Sequence, residues 1–372
     1  MAHSLPTNNA ASTAQHWTRN AVLVVGLCFA INMVDGMDVT IMSYIRGALS
    51  KAWNISDNVM GYALSAGLLG MAIGGLGIAP MADRVGRRPI ILCALALMSV
   101  GMVACGFVHS IEELMVARVV VGAGIGTVLA AMAALAAEAA PAGRQDMAVG
   151  LVQAGYPLAA VATGFIVAAA EPVYGWQHLL LVAGIVTVAM LPVAYFILPE
   201  KARTAADAKL STSQAVSALF GPALRTRTLM LWTATFMGLM VLYFIVSWIT
   251  KLSVQAGLSE TNSIYAGALY NGGAFIGTMM MSILSARVAL TRLVPTLLIC
   301  AVGAMMLFGS VAMPVGATLV VAFIIGVTLQ GGYNGIWPIA AGAYPAENRA
   351  TGIGWAVSVG RGGAIIGPIM GG

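Results

Sequence analysis

Charged side chains are scarce in this sequence, and that scarcity excludes a soluble globular protein. Only 8% of the 372 residues are Asp, Glu, Lys or Arg, while 60% are hydrophobic. A soluble domain carries about 25% charged residues, so the charges here are too few to cover a surface that faces water. Stretches of about 20 apolar residues recur from Ala21 onward, and each is long enough to cross a bilayer as a helix. The sequence therefore predicts an all-α integral membrane protein.

Residues that bind metals or build catalytic sites are also few. The four cysteines all lie within predicted spans, which favours small apolar packing residues over disulfides or metal ligands. The sequence pairs no nucleophile with a base, and it has no basic run interleaved with aromatic residues. We therefore expect no cofactor, no metal site, no nucleic-acid partner and no enzymatic activity.

Hydropathy and turn signals predict eleven membrane spans. They lie near residues 20–46, 57–81, 89–108, 112–137, 146–169, 177–198, 226–250, 261–285, 293–312, 315–342 and 351–371. A polar segment after the sixth span divides the chain. The predicted units are a cytoplasmic tail, 1–19, an N-terminal six-helix half, 20–198, a cytoplasmic linker, 199–224, and a five-span C-terminal half, 225–372.

The placement of Lys and Arg predicts which side of the membrane each loop faces. With the N-terminus in the cytoplasm, the outer segments hold only Arg46, Lys51 and Lys251. The inner segments hold Arg19, Arg84, Arg87, Arg88, Arg144, Lys201, Arg203, Lys209, Arg225, Arg227, Arg287, Arg292 and Arg349. Because basic residues concentrate in cytoplasmic loops, we expect the N-terminus and the central linker to be cytoplasmic.

A repeat connects the two halves. Gly70 and Gly74 in span 2 recur as Gly273 and Gly277 in span 8, both offset by 203 residues. Two six-helix halves in parallel orientation would produce this pattern, with a substrate bound between them near the membrane midplane. On that logic a twelfth span should follow Gly372, and we infer a chain truncated relative to the complete pattern.

Two acids lie within span 1. Asp35 and Asp38 are three residues apart and therefore share one helix face. At 1.5 Å per residue they lie roughly 22 Å and 27 Å from the cytoplasmic side. A carboxylate inside a membrane costs a few kcal/mol, so each needs a purpose or a partner. Both are candidate proton carriers, and the alternative for Asp38 is a cap at the outer end of the span.

Two arginines also lie within spans. Arg118 in span 4 falls at a depth similar to that of the two acids, where it can pair with one of them or hold a substrate carboxylate. Arg361 lies roughly 15 Å into span 11, near the midplane. Spans 7 to 11 contain no mid-span carboxylate, so Arg361 points to an anionic substrate. The alternatives are a structural ion pair for Arg118, and snorkelling or a partner across the cleft for Arg361.

Tyr333 and Asn334 belong to a set of polar and aromatic residues within the spans. Such side chains stack on a ring or hydrogen-bond a carboxylate, so both are candidate substrate contacts. Anchoring at the membrane interface and helix packing are the alternatives for these residues.

A charge cluster is predicted at the cytoplasmic ends of the spans. Its members are Asp83, Arg84, Arg87, Arg88, Glu138 and Arg144, and Arg349 is the counterpart of Arg144 in the second half. Such a cluster would latch an inner gate in one state and break in the other. Structural anchoring is the alternative.

The loop at residues 83–89, Asp-Arg-Val-Gly-Arg-Arg-Pro, resembles the signature of the major facilitator superfamily, and residues 118–124 support the resemblance. It covers essentially the whole chain. Within that superfamily, the Asp-Gly-Met-Asp at residues 35–38 resembles the motif of the aromatic acid:H⁺ symporters, as do Arg349 and Arg361, twelve residues apart. The resemblance implies proton-coupled uptake of aromatic carboxylates, such as benzoate or hydroxybenzoates, across a bacterial inner membrane. Relatives also carry non-aromatic acids such as muconate.

We therefore expect a monomeric symporter in the lipid bilayer, with a small organic acid and protons as its partners. The proton is expected on Asp35 or Asp38, and the substrate carboxylate on Arg361 with help from Arg118. One departure is the loop 285–292, which lacks the acidic residue expected in the second copy of the signature. A proton-driven exporter of drugs or metabolites is the main alternative, and a membrane enzyme or chemoreceptor is a second.

Overall fold

The computed structural model describes residues 17–81, 85–141, 144–198, 219–222, 224–285 and 287–372. At residues 130, 133, 134, 146, 341 and 346–351 it describes the backbone alone. These ranges contain twelve α-helices and no strand, so the predicted all-α fold is confirmed. The helices are α1 Arg19–Trp53, α2 Asp57–Ile73, α3 Arg87–Cys105, α4 Ile111–Ala139, α5 Gln145–Gln153, α6 Gly155–Ile197, α7 Arg225–Gln255, α8 Glu260–Leu284, α9 Leu290–Ser310, α10 Val315–Asn334, α11 Ile336–Ala343 and α12 Ala346–Met370.

Eight helical stretches among the described residues are long and apolar enough to cross a membrane. One of them, Met147–Ile197, has 51 residues, which is enough for two crossings. It bends at Gly175, whose φ of 76° is readily adopted only by glycine. The bend falls between the predicted spans 5 and 6. The predicted spans 4 and 8 coincide with α4 and α8, two further long helices.

Side chains at the helix starts supply hydrogen bonds that the first turn lacks. The Thr18 hydroxyl accepts from the Ala21 amide at 3.1 Å, where α1 begins. At the start of α4, Ser110 accepts from the Glu113 amide at 3.2 Å, and the Glu113 carboxylate accepts from the His109 amide at 2.8 Å. This reciprocal pair holds the short turn that joins α3 to α4.

The glycine repeat predicted from the sequence has a structural counterpart in both halves. A Cβ atom at Gly70 or Gly74 would overlap a backbone carbonyl of α4, because α2 and α4 pack with their backbones in contact. Gly273 and Gly277 are constrained in the same way by carbonyls of α10, against which α8 packs. The two halves therefore share one helix-packing arrangement.

The halves meet mainly through two helix pairs, α2 with α12 and α6 with α8, and α1 also contacts α7 and α8. Hydrogen bonds between them lie where α1 ends and α2 begins, which we call the α1–α2 end. The Thr250 hydroxyl donates to the Ser43 carbonyl at 3.0 Å, and the Ser65 hydroxyl donates to the Ile365 carbonyl at 2.7 Å. The bundle is closed at this end.

Candidate functional site

The acidic motif of α1 is positioned by close packing against the start of α6. A Cβ atom at Gly36 would overlap the backbone carbonyl of Tyr156, so only glycine permits this approach. One turn earlier, the Asn32 amide donates to the Val152 carbonyl at 2.6 Å and to the Gln153 side chain at 3.2 Å. These bonds fix the rotation of α1 at the junction of α5 and α6, and with it the direction of both acids.

Asp38 is paired with Arg118. Both terminal nitrogens of the guanidinium face the carboxylate, with Nη2 at 2.8 Å from Oδ2 and Nη1 against Oδ1. Asp38 is 0% exposed and Arg118 is 4% exposed. Gly67 leaves room for the arginine, because a Cβ there would lie 3.2 Å from Nη2. The two residues therefore form a bidentate, buried ion pair that joins α1 to α4.

Asp35, one turn before Asp38, is buried but not paired in this way. It is 5% exposed, and its Oδ1 has no hydrogen-bond partner among the described residues. Arg361 and Arg118 attract its charge electrostatically, while Asp38 repels it. A buried carboxylate oxygen without a partner is costly, so this position is suited to exchange a proton.

Arg361 lies on α12 of the C-terminal half and is half-buried. Its charge acts on Asp35, so the two residues lie within electrostatic range of each other although they belong to different halves. Arg361 also lies within electrostatic range of Tyr243 on α7 and Tyr333 on α10. Tyr156 on α6 lies within range of Asp35 and Tyr243. The seam between the halves thus combines one cation, one unpaired acid and three phenol rings.

A small cavity connects the buried ion pair with this seam. Its walls come from α1, α2 and α4 of the first half and from α7 of the second. Among its lining residues are Asp38, Arg118, Tyr243 and Ser247. Asp38 and its partner Arg118 therefore border a space between the halves.

Asp35 and Tyr333, both predicted site residues, each lie within electrostatic range of Arg361, and their roles in binding proton or substrate stay predictions. Arg118, in contrast, is occupied by Asp38. Asn334 lies between α8 and α10, where its amide donates to the Thr278 hydroxyl at 2.8 Å and its oxygen accepts from Gln330 at 3.3 Å. These bonds make Asn334 a helix-packing residue in this state, and its contact with substrate stays a prediction.

The predicted cytoplasmic cluster is described in part. Arg87 forms an ion pair with Glu138, which joins α3 to α4. Arg88 donates to the Tyr195 carbonyl at 2.8 Å and lies over the Tyr195 ring. Arg144 is exposed. Asp83, Arg84 and the side chain of Arg349 lie outside the described residues, so the gating role of the cluster stays a prediction.

Two ion pairs at the α1–α2 end join the halves, and sequence reasoning missed them. Lys251 of α7 lies 2.7 Å from Asp57 of α2, and Lys51 of α1 lies 3.0 Å from Glu260 of α8. We call these the closing ion pairs. The acids are equivalent in the repeat, since each begins the second span of its half, and each half supplies the lysine for the acid of the other. This reciprocity is the sequence signal that could have revealed them.

Trp248 is a buried aromatic residue at the α1–α2 end, next to Lys251 of the closing ion pairs. It is 1% exposed, and its indole nitrogen donates to the Pro368 carbonyl at 2.8 Å. Lys251 lies 4.7 Å and Arg46 lies 5.4 Å from the ring centroid, within range of cation–π attraction. One aromatic ring therefore holds cations of both halves at the closed end.

Comparisons with known proteins give one consistent result. The family model for the Major Facilitator Superfamily matches residues 27–368. A gallate transporter of Pseudomonas putida is 30% identical over 94% of this chain and 84% of its own length. A 4-hydroxybenzoate transporter of Pseudomonas aeruginosa is 30% identical over 94% of this chain and 85% of its own length. Among solved structures, a D-xylose–proton symporter superposes with a TM-score of 0.78 at 15% identity, covering 94% of this chain and 89% of that one.

Proposed function

The chain belongs to the major facilitator superfamily, and from that premise we propose that it is a symporter that carries a small aromatic carboxylate with a proton into a bacterial cell. The observation that carries the proposal is that the buried Asp35 of one half lies within electrostatic range of Arg361 of the other half, and that tyrosines lie within range of both. Relatives that transport gallate and 4-hydroxybenzoate support an aromatic acid as the cargo. The proposed location is the inner membrane, with a cytoplasmic N-terminus and a monomeric chain.

Arg361 is the proposed anchor for the substrate carboxylate. A guanidinium presents two parallel N–H donors that match the two oxygens of a carboxylate. Tyr243 and Tyr333, both close to Arg361, offer ring faces and edges against which an aromatic ring can pack. An aliphatic acid would gain less from Tyr243 and Tyr333, because it has no ring to pack against them.

The proposed coupling of substrate to proton arises because Asp35 and the substrate carboxylate are both attracted by the Arg361 charge. In the absence of substrate, the Asp35 carboxylate is attracted by Arg361. A substrate anion that approaches Arg361 brings a second negative charge into the same poorly solvated space. Protonation of Asp35 removes that repulsion, so the loaded site favours one proton together with one substrate anion.

Asp38 has a different proposed role. Because both Arg118 nitrogens hold its carboxylate, the pair is a structural element in this state. A proton on Asp38 would release Arg118 toward the adjoining cavity, where it could assist the substrate. This step would link protonation to the packing of α1 against α4.

The closing ion pairs fit the proposed transport cycle. With a cytoplasmic N-terminus, α1 ends on the outer side, so the described state is closed to the outside. Rocking of the halves would break Lys251–Asp57 and Lys51–Glu260 and open the site outward. Substrate and proton would enter in that state and leave in the one described.

An uptake screen tests the proposal. Cells that lack endogenous aromatic acid uptake would produce this chain and receive radiolabelled 4-hydroxybenzoate, gallate, benzoate or muconate. Accumulation of the aromatic acids above that of a vector control supports the proposal. Preferential uptake of muconate would indicate that the substrates are aliphatic dicarboxylates and not aromatic acids. Faster loss of a preloaded acid from the cells would indicate an exporter.

A further inference from the structure

Tyr270 has a buried hydroxyl group for which the described part of the chain supplies no partner. The residue lies on α8 and is 1% exposed. Its hydroxyl has no hydrogen-bond partner among the described residues. A buried phenol normally finds a partner, because an unpaired polar group loses its hydrogen bonds to water without replacement. The hydroxyl of Tyr270 is therefore available to a group that the protein itself does not provide.

A neighbouring tyrosine shows the usual arrangement. The Tyr44 hydroxyl donates to the Ala160 carbonyl at 3.0 Å and accepts from the Asn271 amide at 3.3 Å. Tyr44 is 5% exposed, so burial is similar at the two positions. The difference between the two phenols lies in their hydrogen bonding and not in their depth.

Tyr270 is connected to the proposed substrate site by packing, because Tyr243, which lines the cavity, packs against the buried cluster that contains Tyr270. It lies within electrostatic range of Tyr243 and Tyr44, and Tyr156 lies within range of both Tyr270 and Asp35. Tyr243 in turn lies within range of Arg361. Tyr243 is therefore a common neighbour of Tyr270 and of the cation that would hold a carboxylate.

We propose that Tyr270 is a specificity-determining residue whose hydroxyl hydrogen-bonds a ring hydroxyl of the substrate. The inference rests on the proposed function, since it assumes that Arg361 holds the carboxylate of an aromatic acid. A phenolic hydroxyl both donates and accepts, so it can pair with Tyr270 in either direction. The ring hydroxyl must be remote from the carboxylate, which favours 3- and 4-hydroxybenzoate over 2-hydroxybenzoate.

This arrangement also discriminates against acids without the hydroxyl. When benzoate binds, Tyr270 remains unpaired and gains nothing from the ligand. A site built to hydrogen-bond a substrate hydroxyl therefore selects against the analogue that lacks it. Asp35 and Arg361 serve both acids equally, so the selectivity is assigned to Tyr270 and not to the coupling residues.

The test compares Tyr270→Phe with the control Tyr44→Phe, in uptake assays of 4-hydroxybenzoate and benzoate by the full chain. In Tyr270→Phe we expect the KM for 4-hydroxybenzoate to rise about tenfold, with the KM for benzoate unchanged or lower. Tyr44→Phe removes a hydroxyl that serves the protein alone, so it should change both acids by the same factor. An unchanged ratio of the two KM values in Tyr270→Phe would overturn the proposal.

A second measurement needs no variant. In the parent chain, 4-methylbenzoate, which matches 4-hydroxybenzoate in size but has no hydroxyl, should compete about tenfold less well against labelled 4-hydroxybenzoate. Equal competition would reject the role of Tyr270, even if the variant failed to fold. Failure of the proposed function has a different signature, because the parent would then accumulate neither 4-hydroxybenzoate nor benzoate.

Discussion

Both terminal nitrogens of the Arg118 guanidinium bind the Asp38 carboxylate, although 80 residues separate the two in the chain. One turn away on the same helix, Asp35 keeps an oxygen without a hydrogen-bond partner among the described residues. The two acids of one short motif therefore occupy opposite electrostatic situations. Asp38 is neutralised within its own half, and Asp35 faces the cation of the other half. Several experiments can separate these roles.

Substitution of Asp38 should damage the structure more than substitution of Asp35. Asp38→Asn leaves the buried Arg118 charge without its partner, and loss of one member of a buried pair costs about 3–5 kcal/mol. Asp35→Asn removes an unpaired buried charge and should leave the Tm in detergent unchanged or higher. Thermal unfolding of the two purified variants measures the contrast. Equal Tm losses would show that both acids are structural.

Arg361→Lys should weaken substrate binding without abolishing it. Lysine keeps the positive charge opposite Asp35 but replaces the two parallel donors by a single ammonium group. We expect a KM increase of about tenfold for an aromatic carboxylate, the loss of roughly one charge-assisted hydrogen bond. Concentration-dependent uptake measures this effect, with Arg292→Lys at an exposed position of α9 as a control. An unchanged KM would remove Arg361 from the binding site.

Gly36→Ala should stop transport by separating α1 from α6. The added methyl group would overlap the Tyr156 carbonyl, and backbone cannot move aside as a flexible side chain can. Gly26→Ala on the same helix is a matched control, because its Cβ would meet nothing within 4 Å. The uptake rate per folded protein, measured with the Tm, compares the two. Full activity of Gly36→Ala would show that close packing at this point is dispensable.

Charge reversal at Lys251 should open the α1–α2 end. Lys251→Glu places a second anion beside Asp57, and the double variant with Asp57→Lys should restore attraction. Distances between spin labels at the end of α1 and at the start of α8 report the population of the open state. Lys51→Glu serves as a comparison and should act more weakly, because the Lys51 side chain is 71% exposed and that of Lys251 is 21% exposed. Label distances that are the same in all three variants and the parent would contradict the role of the closing ion pairs.

Much of the fold follows from local sequence patterns. Long apolar stretches predict the helices, and the glycine pairs at Gly70 and Gly273 predict the packing repeat, because both features depend on neighbouring residues alone. The depth of Asp35, Asp38 and Arg118 follows from the rise of a helix. The amino-acid sequence is therefore sufficient to place these three side chains at one level of the membrane.

Which residues of one half pair with residues of the other half could not be predicted in the same way. Lys251 and Asp57 are close only because α7 and α2 meet at the closed end, which depends on the conformational state. The rise per residue likewise predicts how deep a side chain lies in the membrane, but it does not predict the direction in which the side chain points from its helix. This explains why Asn334, at a plausible position along its helix, bonds to Thr278 in α8.

Coupled transport by the purified chain in liposomes tests the central claim most directly. With an acidic exterior and a pH-sensitive dye inside, labelled 4-hydroxybenzoate should accumulate above its external concentration while protons enter with it. A protonophore should abolish the accumulation, and Asp35→Asn should exchange substrate across the membrane without concentrating it. Accumulation that is independent of the proton gradient, or that persists undiminished in Asp35→Asn, would contradict the account.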